Sequence, residues 1–252
     1  IALDSSSNLV IGSYERVLRR KELDVKDITV SNLYFAGKRS VIFINGNREL
    51  VSLDPVSSNI FRYRLKELRE GGPINLIVGK DFDGDGQDEL FIVQSNIKLF
   101  TLDIITKRFK KREISCKEFE TFRNNIVSLI PVDIDNDNKW ELIVATEKSV
   151  SCYKHMYDDF LWKQNYDDIV NIVMGDPNND NEYEIAVFMK NGNIKLLSLR
   201  GDEKKAIKVN LDDFEKISCG TVGDADNDGW EELLLGTNKG KLIMVKLPPT
   251  LC

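Results

Sequence analysis

Short apolar runs recur along the chain, each bounded by Gly, Asn or Asp. INLIVGK (74–80) leads into DFDGDGQDE and LFIVQ follows it. IVSLIPV (126–132), IVNIVMG (169–175) and ISCGTVG (217–223) lead into DIDNDNKWE, DPNNDNEYE and DADNDGWEE, and LIVAT, IAVFM and LLLGT follow. These runs of five to seven residues are rich in β-branched side chains and shorter than ordinary helices. The pattern predicts strand, acidic turn, strand, four times over.

The four copies start at Asp81, Asp133, Asp176 and Asp224, with spacings of 52, 43 and 48 residues. Each carries further strand-like runs: IKLFTLD (97–103) and RFKKREIS (108–115), SVSCYK (149–154) and FLWKQNY (160–166), NIKLLSLR (193–200) and KKAIKVNL (204–211). Four short strands per period of this length predict an all-β chain, a β-propeller of four-stranded antiparallel blades. About six repeats are expected. Residues 1–27 read as a partial blade, and 28–73 as a blade without an acidic loop. Residues 74–124, 125–167 and 168–216 read as blades with Asp-rich loops, and 217–252 as a final partial blade with one. The incomplete ends either pair to close one blade or mark missing flanking sequence. Asp4 is a candidate remnant of a first loop position.

The acidic turns have the chemistry of a cation shell. Calcium takes about six to eight oxygen ligands on a flexible loop. Carboxylates at loop positions 1, 3 and 5 converge when the chain curls, and Gly or Asn at position 6 tolerates the left-handed turn. Position 7 offers a backbone carbonyl, and an acid at position 9 closes the shell. The first loop supplies Asp81, Asp83, Asp85, the Gln87 carbonyl and Glu89, with Gly86 at the turn. The second supplies Asp133, Asp135, Asp137, the Lys139 carbonyl and Glu141, with Asn138 at the turn. The third supplies Asp176, Asn178, Asp180, the Glu182 carbonyl and Glu184, with Asn181 at the turn. The fourth supplies Asp224, Asp226, Asp228, the Trp230 carbonyl and Glu232, with Gly229 at the turn. An EF-hand places its closing Glu at position 12 between helices, so it is excluded. Plain acidic turns are the alternative, but they have no need for so many mutually repelling carboxylates. The expectation is Ca2+ in up to four sites, with Mg2+ as the competing ion. The third loop is the weakest, because Asn178 removes a charge and Pro177 stiffens the entry.

The charge distribution supports this. The formal charge is −6, yet the chain has 35 basic residues, and 15 of its 41 acidic ones are the proposed carboxylate ligands. The acidity is therefore local. Cys116, Cys152, Cys219 and Cys252 form no CxxC pair, which gives zinc no support, and they read as mostly buried free thiols, with two disulfides as the alternative. His155 is the single histidine and reads as a surface residue. Nucleophile elbow, phosphate loop and HExxH helix are all absent, and the acids that could serve a glycosidase are claimed by the cation shells. The chain is thus expected not to be an enzyme; a hydrolase on a propeller scaffold is the last alternative. Basic clusters (Arg16, Arg19, Arg20, Lys21; Arg62, Arg64, Lys66; Lys107, Arg108, Lys110, Lys111, Arg112; Lys204, Lys205, Lys208) read as edge protection on outer strands. Nucleic acid is the disfavoured reading of these clusters. Trp140, Trp230 and Tyr183 lie at loop positions 7 and 8, where packing between blades is expected. No apolar run is long enough to span a membrane. Ile1-Ala2-Leu3-Asp4 lacks the features of a secretory signal, and without an initiating Met the chain reads as processed or as part of a longer protein. The lack of an N-x-[ST] acceptor tilts the expected location toward the cytoplasm.

DFDGDGQDEL, DIDNDNKWEL, DPNNDNEYEI and DADNDGWEEL, each followed by a β run, resemble the FG-GAP repeat of integrin α-subunit propellers and of the intracellular integrin-alpha FG-GAP repeat-containing proteins. The resemblance covers about residues 74 to 247. Leu235-Gly236-Thr237 and Ile11-Gly12-Ser13 only echo the flanking FG and GAP sequences, which favours the soluble branch over adhesion. The family implies ions on one face of the ring and a binding scaffold for protein partners. An extracellular adhesion or carbohydrate-binding module is the alternative function.

Overall fold

The computed structural model describes residues 2–3, 9–13, 16–21, 25–31, 40–45, 49–53, 60–65, 72–107, 111–154 and 160–248. Asp4, His155, Lys66, Arg108, Lys110 and Cys252 lie outside the described residues. The described residues form antiparallel sheets, six in number, each a meander of strands consecutive in sequence.

Contacts divide the chain into two units, residues 1–123 with 137–140, and residues 124–136 with 141–252. The first unit holds three sheets. They are β1 (Ala2–Leu3), β2 (Leu9–Ser13) and β3 (Arg16–Lys21); β4 (Val25–Ser31), β5 (Ser40–Asn45), β6 (Glu49–Leu53) and β7 (Ile60–Arg64); and β8 (Ile74–Lys80), β9 (Glu89–Gln94), β10 (Lys98–Lys107) and β11 (Lys111–Thr121). Its core is a cluster including Ile42, Ile44, Leu50, Leu65, Leu90, Ile92 and Leu102, drawn from the second and third sheets.

The second unit also holds three. They are β12 (Ile126–Val132), β13 (Glu141–Thr146), β14 (Ser149–Tyr153) and β15 (Phe160–Asn165); β16 (Ile169–Gly175), β17 (Glu184–Met189), β18 (Asn193–Ser198) and β19 (Glu203–Lys208); and β20 (Ile217–Gly223), β21 (Glu232–Thr237) and β22 (Leu242–Val245). One apolar cluster joins the first two of these sheets through Ile143, Val150, Ile172, Ile185 and Val187. Another joins the last two through Phe188, Leu196, Leu233 and Leu235.

The burial follows strand position within a sheet. Second strands ELFIVQ, ELIVAT and EIAVFM are buried at every residue, and so read as unbroken apolar runs rather than alternating ones. Of the outer strands, β19 alternates exposed and half-buried positions, the pattern of an edge. In all four sheets that carry an Asp-rich loop the first strand starts with a register shift, after Ile74, Ile126, Ile169 and Ile217, each seven residues before the loop's first Asp. The bulge recurs with the sequence repeat, and such a feature sharpens the local twist of the strand.

At the end of the sheets away from the Asp-rich loops, the turn after the second strand is tied to both neighbours by backbone hydrogen bonds. Lys190 N donates to Asp168 O at 2.9 Å, and Ile217 N donates to Lys190 O at 3.0 Å. Glu147 N to Asn125 O and Ile169 N to Glu147 O repeat this one sheet earlier. Cys152 is a buried free thiol in β14, with burial, and then the Glu141 charge, pushing its pKa up to about 12. Cys219 is free and exposed, against the expectation of burial.

Candidate functional site

Each Asp-rich loop joins the first and second strands of its sheet. The last rungs of the ladders are Lys80 with Glu89, Val132 with Glu141, Gly175 with Glu184 and Gly223 with Glu232. The position-9 glutamate is therefore the first residue of the most buried strand. That placement explains its burial: Glu89 and Glu141 are 1 % exposed, Glu184 and Glu232 0 %. A carboxylate taken out of water needs hydrogen bonds and a countercharge.

The loop backbone supplies the first. Phe82 N donates to Glu89 Oε2 at 2.8 Å, Ile134 N to Glu141 Oε2 at 2.9 Å, and Ala225 N to Glu232 Oε2 at 3.0 Å. The third loop has Pro177 at this position, which has no N–H to give. Glu184 Oε2 is buried and accepts no hydrogen bond, and neither does Glu232 Oε1. Burial raises the Glu184 pKa, outweighing the Lys204 ammonium, which pulls the other way.

Two left-handed residues make the curl, at positions 4 and 6. They are Gly84 and Gly86, Asn136 and Asn138, Asn179 and Asn181, Asn227 and Gly229, with φ between 55° and 91°. The position-1 aspartate holds the curl shut. Asp81 accepts from Gly84 N at 2.7 Å and Gly86 N at 2.8 Å, Asp176 from Asp180 N and Asn181 N, and Asp224 from Asp228 N and Gly229 N. The position-5 aspartate accepts from the residue-7 amide in every loop: Gln87, Lys139, Glu182 and Trp230.

Carboxylate oxygens gather within 4.8 Å of one another in four groups: Asp81, Asp83 and Asp85; Asp133, Asp135 and Glu141; Asp176, Asp180 and Glu184; Asp224, Asp226 and Glu232. Of the sequence-predicted acids, Glu89, Asp137 and Asp228 fall outside these triads. Asn178 is buried and bridges to Asp180, through Nδ2 to Oδ2 at 3.0 Å and by accepting the Asp180 amide at 3.2 Å. The donor set is all oxygen with part of each loop exposed, which suits a hard divalent cation reached from solvent.

The third and fourth loops are linked. Asp176 N donates to Glu231 Oε2 at 2.6 Å, and Glu231 N donates to Asn179 Oδ1 at 3.2 Å. A cleft of about 450 Å3 lies there, lined by residues including Asp176, Glu182, Tyr183, Trp230 and Glu231. Tyr183 is 59 % exposed and Trp230 40 %, so neither is packed away between sheets as the sequence led one to expect. Trp140 is half-buried, with Lys80 Nζ 3.9 Å from its ring centroid.

Sequence reasoning identified positions 1, 3, 5, 6, 7 and 9 and missed three features. Position 4 always carries Gly or Asn, a signal that was available. Position 2 donates its amide to the buried glutamate in the first, second and fourth loops. Lys204 reaches the third loop from β19, and Lys246 reaches the fourth from just past β22.

No protein-family model and no curated protein sequence matches the chain. Solved structures do. BBS1N in complex with ARL6DN, soaked with mercury, aligns at TM-score 0.68 and 14% identity over 98% of this chain and 74% of that one. The lead-soaked crystal of the same complex aligns at 0.66 and 12% identity, over 98% and 73% of the two chains. Saccharomyces cerevisiae Sqt1 aligns at 0.62 and 10% identity, over 92% of this chain and 62% of that one. At such identities the likeness speaks to fold alone, and with the antiparallel meanders described above it makes this chain an all-β protein of the β-propeller class.

Proposed function

We propose that this chain is a non-enzymatic calcium-binding β-propeller scaffold of the FG-GAP type that presents its loop-bearing surface to protein partners. The observation that carries the cation reading is the buried position-9 glutamate, which starts a second strand beside two convergent aspartates in the second, third and fourth loops. In the first loop three aspartates converge and Glu89 stands at the closing rung. Glu184 Oε2 and Glu232 Oε1, buried and without hydrogen bonds, fit a ligand that accepts lone pairs. Protein interaction is supported by likeness to a propeller crystallised with a protein partner, BBS1N with ARL6DN. Tyr183 and Trp230, exposed beside a cleft, are of the residue types enriched at interface hot spots. Among the described residues no helix is long and apolar enough to cross a membrane.

Thermal unfolding in millimolar calcium, in millimolar magnesium and in chelator tests the cation reading. One site filled at a thousand times its Kd adds about 4 kcal/mol, so the melting temperature rises clearly in calcium and falls in chelator. Asp135→Ala, which removes one member of the second triad, shrinks that rise, whereas Asp202→Ala, on an exposed turn, leaves it intact. No response to either ion, or equal effects from the two variants, refutes the ligand assignment.

A further inference from the structure

Two lysines enter Asp-rich loops from outside them. Lys204, in β19, places Nζ 2.7 Å from Glu184 Oε1, 2.8 Å from Glu182 Oε2 and 3.6 Å from Asp180 Oδ2. Lys246, just past β22, places Nζ 3.1 Å from Asp226 Oδ2 and 3.6 Å from Glu232 Oε1, and hydrogen-bonds Asp228 Oδ2. One comes from the fourth strand of its sheet and the other from the end of the third. They are therefore not copies of one repeat position. Yet each ammonium meets the same two groups, the position-5 aspartate and the buried position-9 glutamate.

We propose that Lys204 and Lys246 are tethered counter-cations of the third and fourth loops, which a divalent ion must displace in order to bind. The proposal rests on the cation reading above and adds how two of the sites are regulated. An ammonium neutralises one charge and directs three donors. It leaves Glu184 Oε2 and Glu232 Oε1 without hydrogen bonds, whereas a calcium ion gathers about six to eight oxygens and can take them up. The lysines hold the loops compact in the ion's absence, because the repelling carboxylates already have a countercharge. Their side chains are 28 % and 40 % exposed, and their long stems give the ammonium a route out to water when an ion arrives.

The test compares the full chain with Lys204→Met, Lys246→Met and the double variant, with Lys195→Met as control. Lys195 pairs with Glu203 at 2.6 Å outside the loops. Calcium uptake is followed by titration calorimetry and stability by melting in chelator. The double variant is expected to melt lower in chelator. It should also bind calcium at two of its sites about tenfold or more tightly than the native chain, the scale of a partly buried ion pair no longer broken on binding. Lys195→Met changes neither quantity. If the native chain and the double variant take up calcium with equal affinity, displacement is wrong while the cation reading stands. If neither takes up calcium, the cation reading fails and the displacement proposal with it. Should the double variant fold poorly, the single variants and their Lys→Gln counterparts give the same readout one loop at a time.

Discussion

Replacing Phe82 by alanine is expected to lower unfolding free energy by about 3–5 kcal/mol, the range for emptying a buried aromatic site. Phe82 is fully buried, although the four loop residues that follow it are exposed. Its ring meets Phe91 of β9 edge to face, with centroids 4.7 Å apart and planes at 79°, a geometry that adds to the area term. Its amide meanwhile donates to Glu89 Oε2 at 2.8 Å. The ring thus anchors the loop in the core, and the same residue's backbone pins the buried glutamate. Alanine keeps the amide but frees the anchor, so on the cation reading proposed above calcium affinity at the first loop falls along with stability. Denaturant unfolding gives the first effect, and titration of the variant gives the second. Tyr183→Ala, at an exposed loop position, is the reference and changes stability by about 0.5 kcal/mol or less. A Phe82→Ala loss no greater than that of Tyr183→Ala would show that the loop does not hang on this ring.

The loops were legible in sequence because their chemistry is local. Positions 1, 3, 5, 6 and 9 lie within nine residues, so spacing places the carboxylates on one turn, where three from each loop converge. The glutamate's burial was not legible, since it depends on neighbouring sheets packing over the strand it begins, as they do on both faces of β17. The lysines were hidden for a similar reason. Lys204 read as an edge cation and Lys246 was not singled out, and only the fold brings them to carboxylates some 20 residues earlier in the chain. The aromatics erred in the other direction. Hydrophobicity argued for packing Tyr183 and Trp230 away, but both side chains stay open to solvent. Strand boundaries were close where turn residues mark them, as at β16 and β17. They drifted in the third sheet, where β11 runs on to Thr121, beyond the basic run that ends at Ser115. That segment's charged and polar side chains gave no period to read.

Gly220→Val is the second substitution expected to cost about 3–5 kcal/mol, combining overpacking with the loss of two hydrogen bonds. Gly220 lies in β20 where that strand runs beside β16, the first strand of the preceding sheet. Asn171 of β16 grips its backbone from both sides, with Nδ2 donating to Gly220 O at 2.8 Å and Oδ1 accepting from Gly220 N at 2.9 Å. A Cβ at this position would stand 2.4 Å from the Phe188 ring, itself fully buried in β17. Such a ring cannot swing aside without opening the core it fills. Either it is displaced or β20 lifts away from β16, and then the two amide hydrogen bonds stretch. Gly220→Ala takes the smaller version of the same clash and is expected to lose about 1–3 kcal/mol. Phe188→Leu alone also destabilises, but paired with Gly220→Ala it makes room for the new methyl. The double variant is then more stable than the sum of the two single losses implies, and a double-mutant cycle in urea measures that coupling. Strict additivity, or a Gly220→Val chain as stable as the native one, would mean that β16 and β20 do not approach as closely as the Asn171 clasp requires.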